Sequence, residues 1–265
     1  IPRTLALMLW GDLDLSVIDA LPAGRQQIKT YLVNSSYSAR LMKFIKKNID
    51  DGGQVYYVCP AVEEDAENET YLTAAKTKKD ELSAVFGKDS VGLVYGKMKS
   101  ADKDRAMQLF YDGKIKVLVS TTVIEVGVNV PNATLMIIDG ADRFGLSQLH
   151  QLRGRVGRGS RASYCVLIND SESETAAQRL IFFAKTTDGF EIAKKDLSLR
   201  GPGNFFGAQQ HGLPRMRIAD LAEDTETVRH ASECAKRILT EDPGLKNHPE
   251  ILSNVTKLFE AYSLD

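Results

Sequence analysis

Between Gln151 and Gly159 the chain reads QLRGRVGRG, three arginines and three glycines in nine residues. Arginine presents a planar fork of donors that matches the oxygens of a carboxylate or a phosphate. Glycine has no side chain to cover such a cation and lets another chain or ligand come close to the backbone. Residues 153–161 hold four arginines and no acid, so the anion this stretch is suited to grip must come from outside it. A second candidate lies upstream in STTVIEVGVNVP, residues 120–131. Ser120, Thr121 and Thr122 follow a strand-like run and precede a helical start. Hydroxyls and free backbone N–H groups at a helix N-terminus hold a phosphate well; the same three residues serve equally as a plain helix cap.

Other chemistries are absent from the pattern. There is no G-x-x-x-x-G-K-[ST] loop and no G-x-G-x-x-G fingerprint. Four histidines and three cysteines stand at no metal-ligand spacing, so no metal ligands are expected, and nothing reads as a Ser/His/Asp set. The arginine stretch is therefore expected to complete a site whose other half lies elsewhere. The net charge of −1 argues against indiscriminate polyanion binding, but the charge is segregated: residues 63–69 carry five acids in seven positions and read as a solvated loop leading into a helix. Cys59, Cys165 and Cys234 are odd in number and far apart, which fits a reduced cytoplasm. No run approaches the roughly 18 apolar residues of a membrane span, and the start IPRTLALMLWG lacks a signal-peptide pattern and an initiator Met.

The elements that must hold these residues alternate. KTYLV (29–33), QVYYVC (54–59), VGLVY (91–95), KVLVS (116–120), TLMIID (134–139) and SYCVLI (163–168) are short, nearly continuous apolar runs, as in a parallel sheet covered on both faces. Helical patterns over Ser38–Asp50, Thr70–Phe86, Ser100–Tyr111 and Leu146–Leu152 separate most of them. The expectation is an α/β fold, a doubly wound parallel sheet with right-handed crossovers. Ligands in such sheets gather at the carboxyl ends of strands, here the segments after Ser120, Asp139 and Ile168. From about Glu174 the pattern turns to helices without strands: ETAAQRLIFFAKTT and GFEIAKKDLSLRG around a turn at Asp188-Gly189, the glycine-rich GPGNFFGAQQHG (201–212), then about Thr225–Thr240 and Pro249–Tyr262. The domain boundary is expected near residue 172, giving domains 1–172 and 173–265.

In this order and spacing, the motifs resemble the second RecA-like lobe of superfamily two helicases. STTVIEVGVNVP looks like motif V, and Gln151, Gly154, Arg155 and Arg158 fit the Q-x-x-G-R-x-x-R of motif VI. QVYYVCP sits where motif IV is expected, and IPRT resembles the tail of motif III. The start and the tail TTDGFEIAKKDLSLRGPGNFFGAQQHGLPRMRIADL resemble the RecG family, the tail looking like the translocation motif, a helical hairpin plus loop, which the Mfd family shares. Two positions depart: Asn129 stands where many relatives carry Asp, and Tyr95 where His is common.

The resemblance implies an ATP-dependent DNA helicase or translocase that remodels stalled forks, Holliday junctions and other branched DNA in recombination and repair. Its ATP, with Mg²⁺, sits between two lobes and is held mainly by the first RecA-like lobe, which with further upstream domains is an implied partner in the same chain. It assigns Arg155 and Arg158 to the γ-phosphate charge of the transition state, and Gln151, Gly154, Gly127 and Asn129 to the nucleotide side. Ser120, Thr121 and Thr122 go to the DNA backbone, whose phosphates are read without regard to sequence. Glu125, Arg200, Gln209 and Gln210 are implied to couple the cleft to DNA movement. Arg153 and Arg161 fall off the motif and read as readily as solvated surface charges, while Phe205 and Phe206 read as core. The alternatives are an Mfd-like duplex translocase of transcription-coupled repair and a non-enzymatic DNA-binding module. This chain alone is expected not to hydrolyse ATP, and no membrane contact is expected.

Overall fold

The computed structural model describes residues 27–60, 69–121, 130–200 and 225–262. Most of the acidic run, Thr122, Glu125, Gly127, Asn129, Gln209, Gln210 and the glycine-rich stretch 201–212 lie outside the described residues, as does the side chain of Arg200. The chain divides into two compact units, the larger spanning Asp19–Ile192 and the smaller taking Ala193–Asp265.

In the larger unit, six strands form one parallel sheet: β1 (Lys29–Val33), β2 (Gln54–Val58), β3 (Val91–Val94), β4 (Val117–Ser120), β5 (Ala133–Ile138) and β6 (Tyr164–Ile168). Their spatial order is β1-β6-β5-β2-β4-β3. The expected α/β doubly wound sheet is present. Every residue of β2, β4 and β5 is buried, whereas β1, at an edge, is half exposed. That is why the inner strands read as unbroken apolar runs: both faces are covered, so no position is left for water.

Alternate residues of each strand feed two separate cores, following the period of two. Val55, Tyr57, Cys59, Leu135, Ile137, Val166 and Ile168 face one side. There α1 (Ser38–Asp50) supplies Ile45, and α2 (Glu69–Phe86) supplies Ala75 and Leu82. Tyr56, Val58, Met136, Ile138, Cys165 and Leu167 face the other. That side is closed by Phe110 of α3 (Ser100–Tyr111), by Leu146, Leu149 and Leu152 of α4 (Leu146–Arg153), and by Leu180 and Phe183 of α5 (Glu174–Lys185). Gln54 ties the start of β2 to the α3–β4 connection, its Nε2 donating to the carbonyls of Phe110 (2.5 Å) and Ile115 (2.8 Å).

The change of pattern near residue 172 does not end the larger unit, because α5 lies beyond it and packs on the sheet next to β1. The next helix, α6 (Gly189–Arg200), starts at the expected turn: the Asp188 carboxylate accepts the N–H of Phe190 at 2.7 Å, an N-cap. Ile192 still joins the sheet's core. In the smaller unit, α7 (Thr225–Glu241) and α8 (Pro249–Tyr262) are joined by a turn built on Asp242. Its buried carboxylate accepts the N–H groups of Lys246 (3.0 Å) and Asn247 (2.7 Å), and Leu245 takes a positive φ of 51°.

Candidate functional site

The arginine stretch is positioned by α4. Gly140, in a left-handed conformation (φ 57°), turns the chain after β5, and the Gln148 Oε1 accepts the Gly145 N–H at 3.1 Å to close the first turn of α4. Buried Leu146, Leu149 and Leu152 recur at three-residue spacing and pin the helix to the sheet. The helix carries the chain from the carboxyl ends of the strands back to their amino ends. There the turn 154–163 is wedged among the strand starts. Gly157 has φ +73°, and a Cβ on it would lie 3.0 Å from Ile28; a Cβ on Gly159 would lie 2.7 Å from the carbonyl oxygen of Pro131. Ser163 O accepts the N–H of Lys29 at 3.1 Å, and Arg161 Nη1 donates to Asp51 O at 3.1 Å. These glycines are demanded by backbone packing at least as much as by any ligand.

On this turn the structure brings Gln151, Gly154, Arg155 and Arg158 together. Gln151 and Arg158 are exposed and Arg155 is half-buried. Arg158 Nε donates to Gly154 O at 3.2 Å, which folds its guanidinium back over the end of α4. Both arginines act on Tyr56: burial pushes its phenol up to about 12, and the Arg155 and Arg158 charges pull against that shift. A doubly cationic, solvent-facing loop over a neutral phenol suits an incoming polyanion.

Arg153 corrects the surface-charge reading. It is 3% exposed, and Nη1 donates to the carbonyls of Phe183 (3.1 Å) and Thr186 (2.9 Å). Nη2 lies 3.2 Å from His150 Nδ1, and the guanidinium sits 4.1 Å from the centroid of the Phe183 ring. Burial pushes its pKa down, with Cys165 opposing, but a guanidinium remains protonated. The side chain therefore caps the carbonyl end of α5, where the helix dipole favours a cation, and fastens α4 to α5. The spacing signal for it was present, since position 153 continues the 146–149–152 apolar face by one residue. Arg161, by contrast, is exposed.

At the opposite, carboxyl edge, β4 ends in Ser120 and is followed by Thr121, both buried. Ser120 O accepts the Cys59 N–H at 2.8 Å, and Thr121 N–H donates to Val94 O at 3.2 Å. The Ser120 Oγ has no hydrogen-bond partner among the described residues. Beside them, Tyr57 OH donates to Asp139 Oδ2 at 3.0 Å. Burial, reinforced by Asp139, holds the Tyr57 phenol well above its usual range and pushes the Cys59 thiol up to about 12. Two cavities of about 510 and 280 Å³ open on this edge and share Lys78, Asp139 and Asp170. The crevice lies where strand-end logic expects it, after Asp139 and Ile168. Its Tyr57–Asp139 pair escaped the reading of the sequence, because a tyrosine inside an apolar run looks like core.

Among the described site residues, Arg155 and Arg158 follow the end of α4 on the amino side of the strands, and Ser120 and Thr121 lie at the carboxyl end of β4.

Residues 37–160 match the family model of the helicase conserved C-terminal domain, and residues 186–260 match the model of ATP-dependent DNA helicase RecG, domain 3, C-terminal. A Synechocystis sp. ATP-dependent DNA helicase RecG is 47% identical over 260 residues, 98% of this chain and 31% of its own length. That of Bacillus subtilis is 48% identical over 243 residues, 91% of this chain and 35% of its own length. The chain belongs to the RecG family. A solved structure of RecG bound to a three-way DNA junction matches 86% of this RecG-family chain and 29% of that one, with 42% identity and a TM-score of 0.68. The RecA-like character of the lobe is shared with it. This RecG-family chain spans about a third of the length of the curated relatives it matches.

Proposed function

We propose that the chain is the C-terminal motor lobe and translocation-motif region of an ATP-dependent DNA helicase that remodels forked and branched DNA in the cytoplasm. What supports this reading is that Arg155 and Arg158 lie on a loop at the amino ends of the strands, while Ser120 and Thr121, both buried, lie at the carboxyl end of β4. A motor that converts hydrolysis into movement needs nucleotide and DNA on different surfaces of a shared rigid body, and a single sheet links them here.

The amino-edge loop fits a nucleotide's phosphates. Arg158 is exposed, Arg155 lies beside it, and Gly154 holds the turn. ATP with Mg²⁺, bound chiefly by another lobe, supplies the phosphoryl group. Arg155 and Arg158 stabilise charge growing on its γ-phosphate oxygens, an effect of roughly 10³–10⁵ in rate for an arginine in comparable sites, while Gln151 orients the loop. Gly127 and Asn129 are assigned to the nucleotide. Ser120, Thr121 and Thr122 are assigned to the DNA backbone. Glu125, Arg200, Gln209 and Gln210 couple the two, and the helices beyond the lobe carry the movement to the duplex.

The test is ATP hydrolysis by the full-length protein with forked DNA, and separately with linear duplex of equal length. Strong preference for the fork supports branched-DNA remodelling; equal stimulation replaces it with duplex translocation. Arg158→Ala should abolish hydrolysis and spare DNA binding. Loss of both would make Arg158 a DNA contact instead.

A further inference from the structure

Helix α1 turns a row of cations to solvent. Arg40, Lys43, Lys46 and Lys47 are exposed at three- and four-residue spacing, while Ile45, Leu41, Met42 and Phe44 turn to the sheet. Arg40 and Lys47 lie about 10 Å apart along the axis. Like charges three and four residues apart repel and weaken a helix. Asp50 is the only acid on α1, and none of the four cations is in an ion pair among the described residues. The row stands at a cost to the helix that Asp50, four residues beyond Lys46 and three beyond Lys47, offsets only at one end, in a chain whose net charge is −1.

Next to this row, among the described residues, β1 forms an exposed margin of the sheet. β1 is an edge strand, and α1 packs over β2 and β5 rather than over it. On the α1 side, β1 presents Lys29, which is exposed, and Tyr31, 48% exposed. The Tyr31 ring stacks at 6.4 Å on Tyr164, which takes Phe44 of α1 edge-on at 5.2 Å. At the carboxyl end of β1, Tyr37 is 44% exposed, with the Arg40 guanidinium 5.4 Å from its ring centroid. Aromatic rings braced from behind and flanked by cations are the means by which proteins hold single nucleic-acid strands: cations follow the phosphates and rings stack the bases.

We propose that this margin, Lys29 and Tyr31 of β1 with Arg40, Lys43, Lys46 and Lys47 of α1, is a binding site for a single DNA strand. It is separate from Ser120, which ends β4, and Thr121, which follows it, on the far side of the sheet from β1. The lysines take successive phosphates and Tyr31 stacks a base. The exposed cations of α1 beside the exposed Tyr31 ring select this occupant.

The experiment is photocrosslinking of the intact protein to a thymidine oligonucleotide carrying 5-iododeoxyuridine, followed by trypsin and mass spectrometry. Cleavage after Lys29 and Arg40 releases Thr30–Arg40 as one peptide containing Tyr31. The expected result is an adduct at Tyr31 that falls roughly tenfold in the triple variant Lys43→Gln, Lys46→Gln, Lys47→Gln and returns when the same positions carry Arg. The log–log salt slope of oligonucleotide binding should shrink by about 2, from three lost phosphate contacts. Adducts confined to other peptides, an adduct at Tyr31 unchanged by the triple variant, or crosslinking only to duplex would each overturn the site. Fork-stimulated hydrolysis is measured on the same proteins. Its retention alongside loss of the adduct supports a separate surface, and its absence in the unaltered protein would sink the proposed motor without touching the adduct.

Discussion

Replacing Arg153 by Met keeps the length and apolar bulk of the side chain and removes only its guanidinium. Two buried carbonyls, of Phe183 and Thr186, then lose their donor, and each unsatisfied group costs about 1–3 kcal/mol. The contact with the Phe183 ring, at 4.1 Å and away from water, adds about 2 kcal/mol. Against this, the fold no longer has to keep a cation out of water. The net loss is about 2–4 kcal/mol, and at roughly 2–4 °C per kcal/mol for a domain of this size Tm should fall by roughly 4–16 °C. Thermal unfolding followed by far-ultraviolet circular dichroism measures it. Arg161→Met is the control: its exposed guanidinium reaches one backbone carbonyl, and its Tm should move by less than about 2 °C. Equal small shifts for both variants would refute the claim that Arg153 fastens α4 to the end of α5.

Gly159→Ala should destabilise more than a surface substitution does, by about 1–3 kcal/mol, because its Cβ meets a backbone carbonyl at 2.7 Å; an unchanged urea midpoint would show that the loop shifts freely. With a disulfide-exchange reagent at pH 8, Cys234, which is exposed, should react at once in the native chain, while the buried Cys59 and Cys165 react only after unfolding. Alkaline pH should weaken the fold. Cys59 and Cys165 rise from 9.0 to about 12 and Tyr56 from 10.0 to about 12, so all three are held neutral when folded. Their contribution is complete below about pH 9 and is lost as pH climbs through about 12. Urea midpoints at pH 8 and pH 10.5 should show the decline, and a Cys59→Ala, Cys165→Ala protein should show less of it.

What the sequence by itself determined is what local periodicity encodes. The helices expected over Ser38–Asp50, Ser100–Tyr111 and Pro249–Tyr262 match α1, α3 and α8 end for end, and α2 starts one residue before the expected Thr70. All six strands lie within a residue or so of the apolar runs, because strands buried on both faces have no room for polar residues. The grouping of Gln151, Gly154, Arg155 and Arg158 was equally legible, being contained in eight consecutive positions.

Three matters needed the tertiary structure. Which edge of the sheet each motif occupies depends on α4 running the chain back from the carboxyl ends of the strands, and this set the arginine loop at the amino ends, away from the crevice that strand-end logic singles out. The fate of Arg153 depended on α5 delivering its last carbonyls and Phe183 from thirty residues downstream; without that partner, an arginine beside a motif looks like any solvated charge. The extent of the lobe followed the same rule: polar–apolar pattern changes near residue 172, but α5 packs on the sheet and the compact unit runs to Ile192. In each case the deciding contact joins residues far apart in the chain, and composition and spacing within one segment carry no record of it.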